Sequence, residues 1–145
     1  MKSVFKKICI ASDHAGFLLK EKVKDFLLKK DISIIDLGPF NEDSVDYPHF
    51  AKKVANRIKL KKSDAGILIC GSGTGMSISA NKIKGIRAAV CYNKKSTSLS
   101  RQHNNANIIA MGSRLINKID AMKLVSLFLQ TKFHKGRHLR RIKKI

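Results

Sequence analysis

The sequence predicts an α/β fold, a three-layer αβα sandwich around a five-stranded parallel sheet, from three observations. Five short runs rich in β-branched residues alternate with helical patterns, and that alternation reads as βαβ units. The chain has 145 residues, enough for one compact domain that buries roughly 68–70% of its unfolded surface. A glycine-rich segment follows the third apolar run directly and opens a helix, the arrangement in which open α/β sheets carry their sites at the carboxyl ends of strands.

The five runs are Ile8 to Ser12, Ser33 to Leu37, Ala65 to Cys70, Arg87 to Cys91 and Asn107 to Met111. Between the first two, Phe17 to Lys30 places Leu19, Val23, Phe26 and Leu27 on one face and Lys20, Lys24, Asp25 and Lys29 elsewhere, an amphipathic helix. Pro48 opens the second helix, where its missing N–H costs nothing, with Phe50, Val54 and Ile58 at four-residue spacing. A short third helix is expected from about Met76 to Ile83, ending before Gly85, then two more over Lys94 to Gln102 and Lys118 to Lys132. Right-handed crossovers between parallel strands make this a doubly wound, Rossmann or flavodoxin-like sandwich, with the strand order 2-1-3-4-5 expected. Repeats and low-complexity tracts are absent. Residues 1–145 are therefore expected to form one domain with a basic tail from His134 to Ile145, too short and charged for a core element.

Thirty Lys and Arg against ten Asp and Glu leave a net charge of +20, which attracts nucleic acid, lipid headgroups or a phosphorylated metabolite. The lysines are strung along the chain, as on solvated helix faces. Six of the seven arginines (Arg87, Arg101, Arg114, Arg137, Arg140 and Arg141) fall in the second half, and Arg is the better bidentate partner for phosphate. Cys9, Cys70 and Cys91 lie far apart without a zinc or redox spacing, which fits a reducing, cytoplasmic home. The apolar run after the basic start is too short for a signal peptide, and nothing is expected to target or span a membrane.

Chemistry concentrates where strands end. In Cys70 followed by Gly71-Ser72-Gly73-Thr74-Gly75, alternate glycines let successive N–H groups point into one concavity, and the helix behind adds its positive end. An anion fits there. The same amides would favour a thiolate at Cys70, although before its neighbours are considered Cys70 reads first as the last buried residue of an apolar strand, as Cys9 and Cys91 do in theirs. Strand one ends in Ser12-Asp13-His14-Ala15-Gly16 at the same sheet edge. Asp13 can serve as a helix cap, whereas His14 has no such structural alternative. Ser100 to Asn107 is a polar cluster between helix and strand, where His103 reads either as a functional imidazole or as one favoured by the helix dipole. Arg137 and Arg141, four apart, share a face if helical and suit a phosphate.

Together these segments resemble the type B ribose-5-phosphate isomerases and the wider group that includes galactose-6-phosphate isomerase. The motifs that carry the resemblance are Ser-Asp-His-Ala-Gly at 12 to 16, Asp46-Tyr47-Pro48-His49, Ile-Cys-Gly-Ser-Gly-Thr-Gly at 69 to 75, Ala80-Asn81-Lys82, Ser100-Arg101-Gln102-His103-Asn104 and Gly136-Arg137-His138. The resemblance implies a homodimer, which can pair further into a tetramer, with active sites at the subunit interface. It implies no metal and no cofactor, and proton transfer through an enediolate that interconverts ribose 5-phosphate and ribulose 5-phosphate in the non-oxidative pentose phosphate pathway. It also implies roles. Cys70 is the base, and the segment Gly71, Ser72, Gly73, Thr74 and Gly75 donates amides to the enediolate oxygen. His103 and Asp13 open the sugar ring, His14, Arg137 and Arg141 hold the phosphate, Asn104 and Arg114 position the sugar, and Tyr47 lines the pocket. The family has a second branch with a Glu just after the glycine loop as base; here Met76 stands there, so the Cys mechanism is expected. The sister activity on a six-carbon sugar phosphate, galactose 6-phosphate or allose 6-phosphate, is the nearer alternative. A basic nucleic-acid-binding module is the remoter one, because the nine aromatics are scattered and no stacking platform or helix-turn-helix spacing accompanies the charge. Specific nucleic-acid binding is not expected.

Overall fold

The computed structural model describes residues 1–145. Five strands, β1 (Ile8–Ser12), β2 (Ile34–Asp36), β3 (Ala65–Cys70), β4 (Ala88–Val90) and β5 (Ile108–Gly112), form one sheet in which every pairing is parallel. Six helices join or follow them: α1 (Phe17–Leu28), α2 (Tyr47–Lys59), α3 (Thr74–Asn81), α4 (Lys94–Gln102), α5 (Lys118–Gln130) and α6 (Gly136–Ile142). No helix is long and apolar enough to cross a membrane.

The period-two alternation of strands sorts the core into two layers. Ile8, Ile10, Ile67, Ile69, Ile109 and Met111 pack with Leu19, Val23 and Leu27 of α1 and with Leu124, Val125 and Phe128 of α5. The intervening residues, Cys9, Ala11, Leu68, Cys70, Ile108 and Ala110, face Phe50, Val54 and Ala55 of α2 and Met76 and Ala80 of α3. Cys70 thus points to the α2–α3 side.

The strand order is 2-1-3-5-4, not the expected 2-1-3-4-5. The reason is burial. All five residues of β5 are buried, while the three of β4 are only half-buried, so the longer, wholly apolar strand takes the interior position and the short Ala-Ala-Val strand the edge. The chain moves outward past the place of β5 through α3 and returns through α4 on the opposite face, which keeps both crossovers right-handed. The direction of winding reverses between β1 and β3, and their carboxyl ends therefore flank the crevice.

One other expectation changes. Lys20 is fully buried rather than on the solvated face of α1: its Nζ meets Asp36 Oδ2 at 2.7 Å and Glu21 Oε1 at 2.9 Å, and Lys24 joins the same Asp36 oxygen at 2.6 Å. Burial opposes ionisation of Asp36, but hydrogen bonds from Lys20 and Lys24 outweigh it and hold the carboxyl below its ordinary range. The basic tail, for its part, contains a helix, α6, none of whose residues is fully buried.

Candidate active site

Helix α3 begins at Thr74, two residues before the expected Met76, so Thr74 and Gly75 belong to its first turn and Gly71, Ser72 and Gly73 alone make the bend. Gly73 has φ +79°, a left-handed conformation that glycine adopts without penalty. That turn brings the Gly73 N–H to within 3.1 Å of Cys70 Sγ, to which it donates. Cys70 is 4% exposed, at the carboxyl end of β3. Ser72 serves its own turn, with its Oγ accepting the Thr74 N–H at 3.3 Å.

The loops after β1, β3 and β5 are tied together by hydrogen bonds. Ser113 N–H donates to the Cys70 carbonyl at 2.8 Å and Arg114 N–H to that of Gly71 at 3.1 Å, while Ser113 Oγ–H donates to Ala15 O at 2.7 Å. Arg114 then lays its guanidinium over Gly71, where a Cβ would come 2.8 Å from Nη1. Tyr47, the first residue of α2, lies against Gly75, where a Cβ would come 2.7 Å from the ring. Two positive groups and an aromatic wall thus border the segment that follows Cys70: Arg114 at Gly71, the N-terminus of α3, and Tyr47 at Gly75.

Asp13 and His14 line a cavity of about 650 Å³ with Asp46, Tyr47 and His49. Asp13 does act as a turn former, since its Oδ1 accepts the Gly16 N–H at 2.9 Å. His14 also has a structural role that the sequence did not disclose: its Nδ1 lies 3.1 Å from the Val45 amide nitrogen and 3.2 Å from the Val45 carbonyl oxygen, a contact that pins the loop between β2 and α2.

The remaining expected residues lie elsewhere. Helix α4 runs from the carboxyl end of β4 back to the amino end of β5, so His103 and Asn104 sit at the sheet edge opposite Cys70. Strand β5 alone separates the two edges by roughly 13 Å at about 3.3 Å per residue. Helix α6 docks beside them: the His138 ring stacks on His103 with centroids 4.1 Å apart and planes 12° apart, and the His134 N–H donates to Gln102 O at 3.0 Å. His103, Asn104, His138 and Arg141 line a cavity of about 280 Å³. Arg137 and Arg141 both lie on α6 and are exposed, one helical turn apart. Partial desolvation, then the positive groups His103, Arg137, Arg141 and His134, keep the His138 imidazole below its ordinary titration range.

Arg101, beside His103 in the same motif, is a framework residue. It is 3% exposed and donates to Thr131 O at 3.1 Å, to Asn105 Oδ1 at 2.9 Å and to Ala106 O, with its guanidinium against the stacked rings of Phe5 and Phe128. Burial first, then repulsion from Arg87, lowers its pKa to about 10, so it stays charged in neutral solution. Cys9 and Cys91 are buried as expected, and burial pushes the Cys9 thiol up to about 11. Met76, where the family's other branch has its Glu, is fully buried among α2 and β3 and brings no base to the crevice. Sequence reasoning missed Tyr92, whose hydroxyl donates to the Ser72 carbonyl from beyond β4; only its place just after a strand hinted at the crevice.

Known proteins resemble this chain in sequence and in fold. The profile of the Ribose/Galactose Isomerase family matches residues 8–145. The ribose-5-phosphate isomerase B of Escherichia coli is 43% identical over 140 residues, covering 97% of this chain and 94% of that protein. A putative sugar phosphate isomerase of Bacillus subtilis is 45% identical, covering 96% and 94%. Among solved structures, the ribose 5-phosphate isomerase of Thermotoga maritima superposes with a TM-score of 0.93 at 54% identity, covering 95% of each chain. Ribose-5-phosphate isomerase B of Mycoplasma genitalium, solved with bound ribulose 5-phosphate, superposes with a TM-score of 0.90 at 44% identity, covering 95% of this chain and 92% of that one. With a matching profile over nearly its whole length and relatives 43–54% identical, the chain belongs to the ribose/galactose isomerase family.

Proposed function

We propose that this protein is an aldose–ketose isomerase that interconverts ribose 5-phosphate and ribulose 5-phosphate, with Cys70 as the base and with each site completed by a second copy of the chain. The observation that carries the chemistry is the Gly73 N–H directed at Cys70 Sγ at 3.1 Å, in a crevice that also holds Arg114 and the N-terminus of α3. In the open-chain aldose the Cys70 thiolate takes the proton from C2. The C2–H electron pair becomes a C1–C2 double bond and the carbonyl pair moves onto O1. The thiol then returns the proton to C1 while the O2 proton passes to O1, which leaves the ketone at C2. Charge on the enediolate oxygen calls for preorganised donors, each able to contribute about 3 kcal/mol, and a positioned base contributes roughly 10²–10⁴-fold.

The second copy is called for by position. The open ring and the phosphate need His103, Asn104, Arg137 and Arg141, which one chain holds a strand's length from its own Cys70. A partner brings its lower edge to this crevice. Exposed apolar residues stand at the same edge as such contact requires: Leu18 lines a shallow cavity with Ser113 and the half-buried Ile116, and Leu115, next in sequence, is exposed. Phosphate held by two arginines on a fixed helix orients the reacting carbons without itself reacting.

The test is turnover of ribose 5-phosphate by purified protein without added metal, beside galactose 6-phosphate and allose 6-phosphate. Cys70→Ala should lose at least about 10²-fold in kcat with its fold intact. Near wild-type turnover in that variant would remove Cys70 as base, and turnover of a hexose phosphate alone would transfer the protein to the six-carbon activity.

A further inference from the structure

We propose that Tyr92 is a positioning residue whose hydroxyl latches the Ser72–Gly73 peptide so that the Gly73 N–H faces Cys70. The inference rests on Cys70 being the base. The Tyr92 O–H donates to the Ser72 carbonyl, and the Gly73 N–H donates to Cys70 Sγ. These two groups belong to one planar unit. In a trans peptide the C=O and N–H point in opposite directions, and the cis bond in this chain is elsewhere, at Gly38–Pro39.

Glycine at position 73 supplies the left-handed φ, yet the same freedom lets the peptide rotate about its flanking bonds. A flip would turn the carbonyl oxygen, the negative end of the unit, toward the sulfur and the N–H away. The Ser72 hydroxyl does not prevent this, being engaged with the Thr74 N–H. Gly112 underlies the bend, where a Cβ would come 2.5 Å from the Ser72 carbonyl carbon; that absence of a side chain lets the bend sit low over β5 without choosing its orientation. The latch chooses it.

Tyr92 is itself well anchored. Cys91 before it is fully buried and donates its N–H to Ala110 O at 3.0 Å. Asn93 after it caps α4, accepting the Ser96 N–H at 2.9 Å. Its backbone is therefore held by β4 and α4 while its ring, 40% exposed, spans to the bend.

Tyr92→Phe removes the hydroxyl and keeps the ring. The measurement is the thiolate absorbance near 240 nm at fixed pH, taken as the difference between each protein and its Cys70→Ala counterpart, together with kcat and KM. The thiolate signal and kcat should both fall roughly three- to tenfold, the effect of one hydrogen bond, with KM and melting temperature unchanged. A wild-type thiolate signal in Tyr92→Phe overturns the latch, whatever happens to kcat. If Tyr92→Phe lowers the signal while Cys70→Ala turns over normally, the latch stands and the base assignment fails.

Discussion

Lys20 illustrates how much one side chain can carry away from the site. An ammonium with no exposed surface is tolerated because Asp36 and Glu21 meet it at 2.7 and 2.9 Å, and losing one member of such a buried group costs roughly 3 kcal/mol. Lys20→Ala should lower the melting temperature by roughly 10 °C in a chain of this size, and Lys20→Met by less, since Asp36 keeps Lys24. The pH dependence has a defined sign. Asp36 titrates lower in the folded protein than in the unfolded chain, so its contribution is present above about pH 4 and is lost as pH falls through the folded value. The melting temperature of Lys20→Met should accordingly vary less with pH on that acid limb, which calorimetry between pH 2 and 5 would read.

Among the elements, α6 is held least firmly, because no residue of its seven is fully buried and its docking depends on the His138–His103 stack. His138 titrates below its ordinary range while docked, for the desolvation and the positive neighbours named above. The undocked helix therefore binds the proton more readily, and docking is complete above about pH 6.5 and weakens as pH falls below it. Hydrogen exchange at the amides of 138–144 should accelerate between pH 6.5 and 5 relative to the intrinsic rate, and His138→Phe should abolish that extra acceleration. Equal acceleration in both proteins would mean that some other group controls the docking. The tail read as a charged appendage is thus an element with one aromatic contact, and its arginines are oriented by that contact.

At the scale of the molecule, the separation of Cys70 from His103, Arg137 and Arg141 predicts complementation. In the proposed dimer, Cys70→Ala and Arg137→Ala spoil opposite halves of a shared site. Each should be weak alone, whereas mixed and reassociated subunits should regain about a quarter of wild-type activity, since half the dimers are mixed and each of those has one intact site. Recovery no greater than the sum of the two variants would place the complete site within one chain. The charge of +20 needs no separate partner under this reading: exposed lysines cover the helix faces, and the arginines with a positional role are few.

Alternation of apolar runs with helical periodicity determined the layers, because strand and helix periods are local properties, and every expected strand and connecting helix is present to within a few residues. The motifs around Asp13, Cys70 and the glycine bend were legible for the same reason, as strand ends and turns are written in contiguous residues. Tertiary structure alone decided the rest. The exchange of β4 and β5 followed from relative burial, which depends on every neighbour. Lys20 became an interior ion because Asp36 lies on an adjoining strand, sixteen residues on. His103 and Cys70, both expected in one site, stand at opposite edges because a right-handed return through α4 must deliver the chain to the amino end of β5. Tyr92 meets Ser72 only after the sheet has brought β4 and β3 to either side of β5, a proximity that no spacing in the sequence encodes.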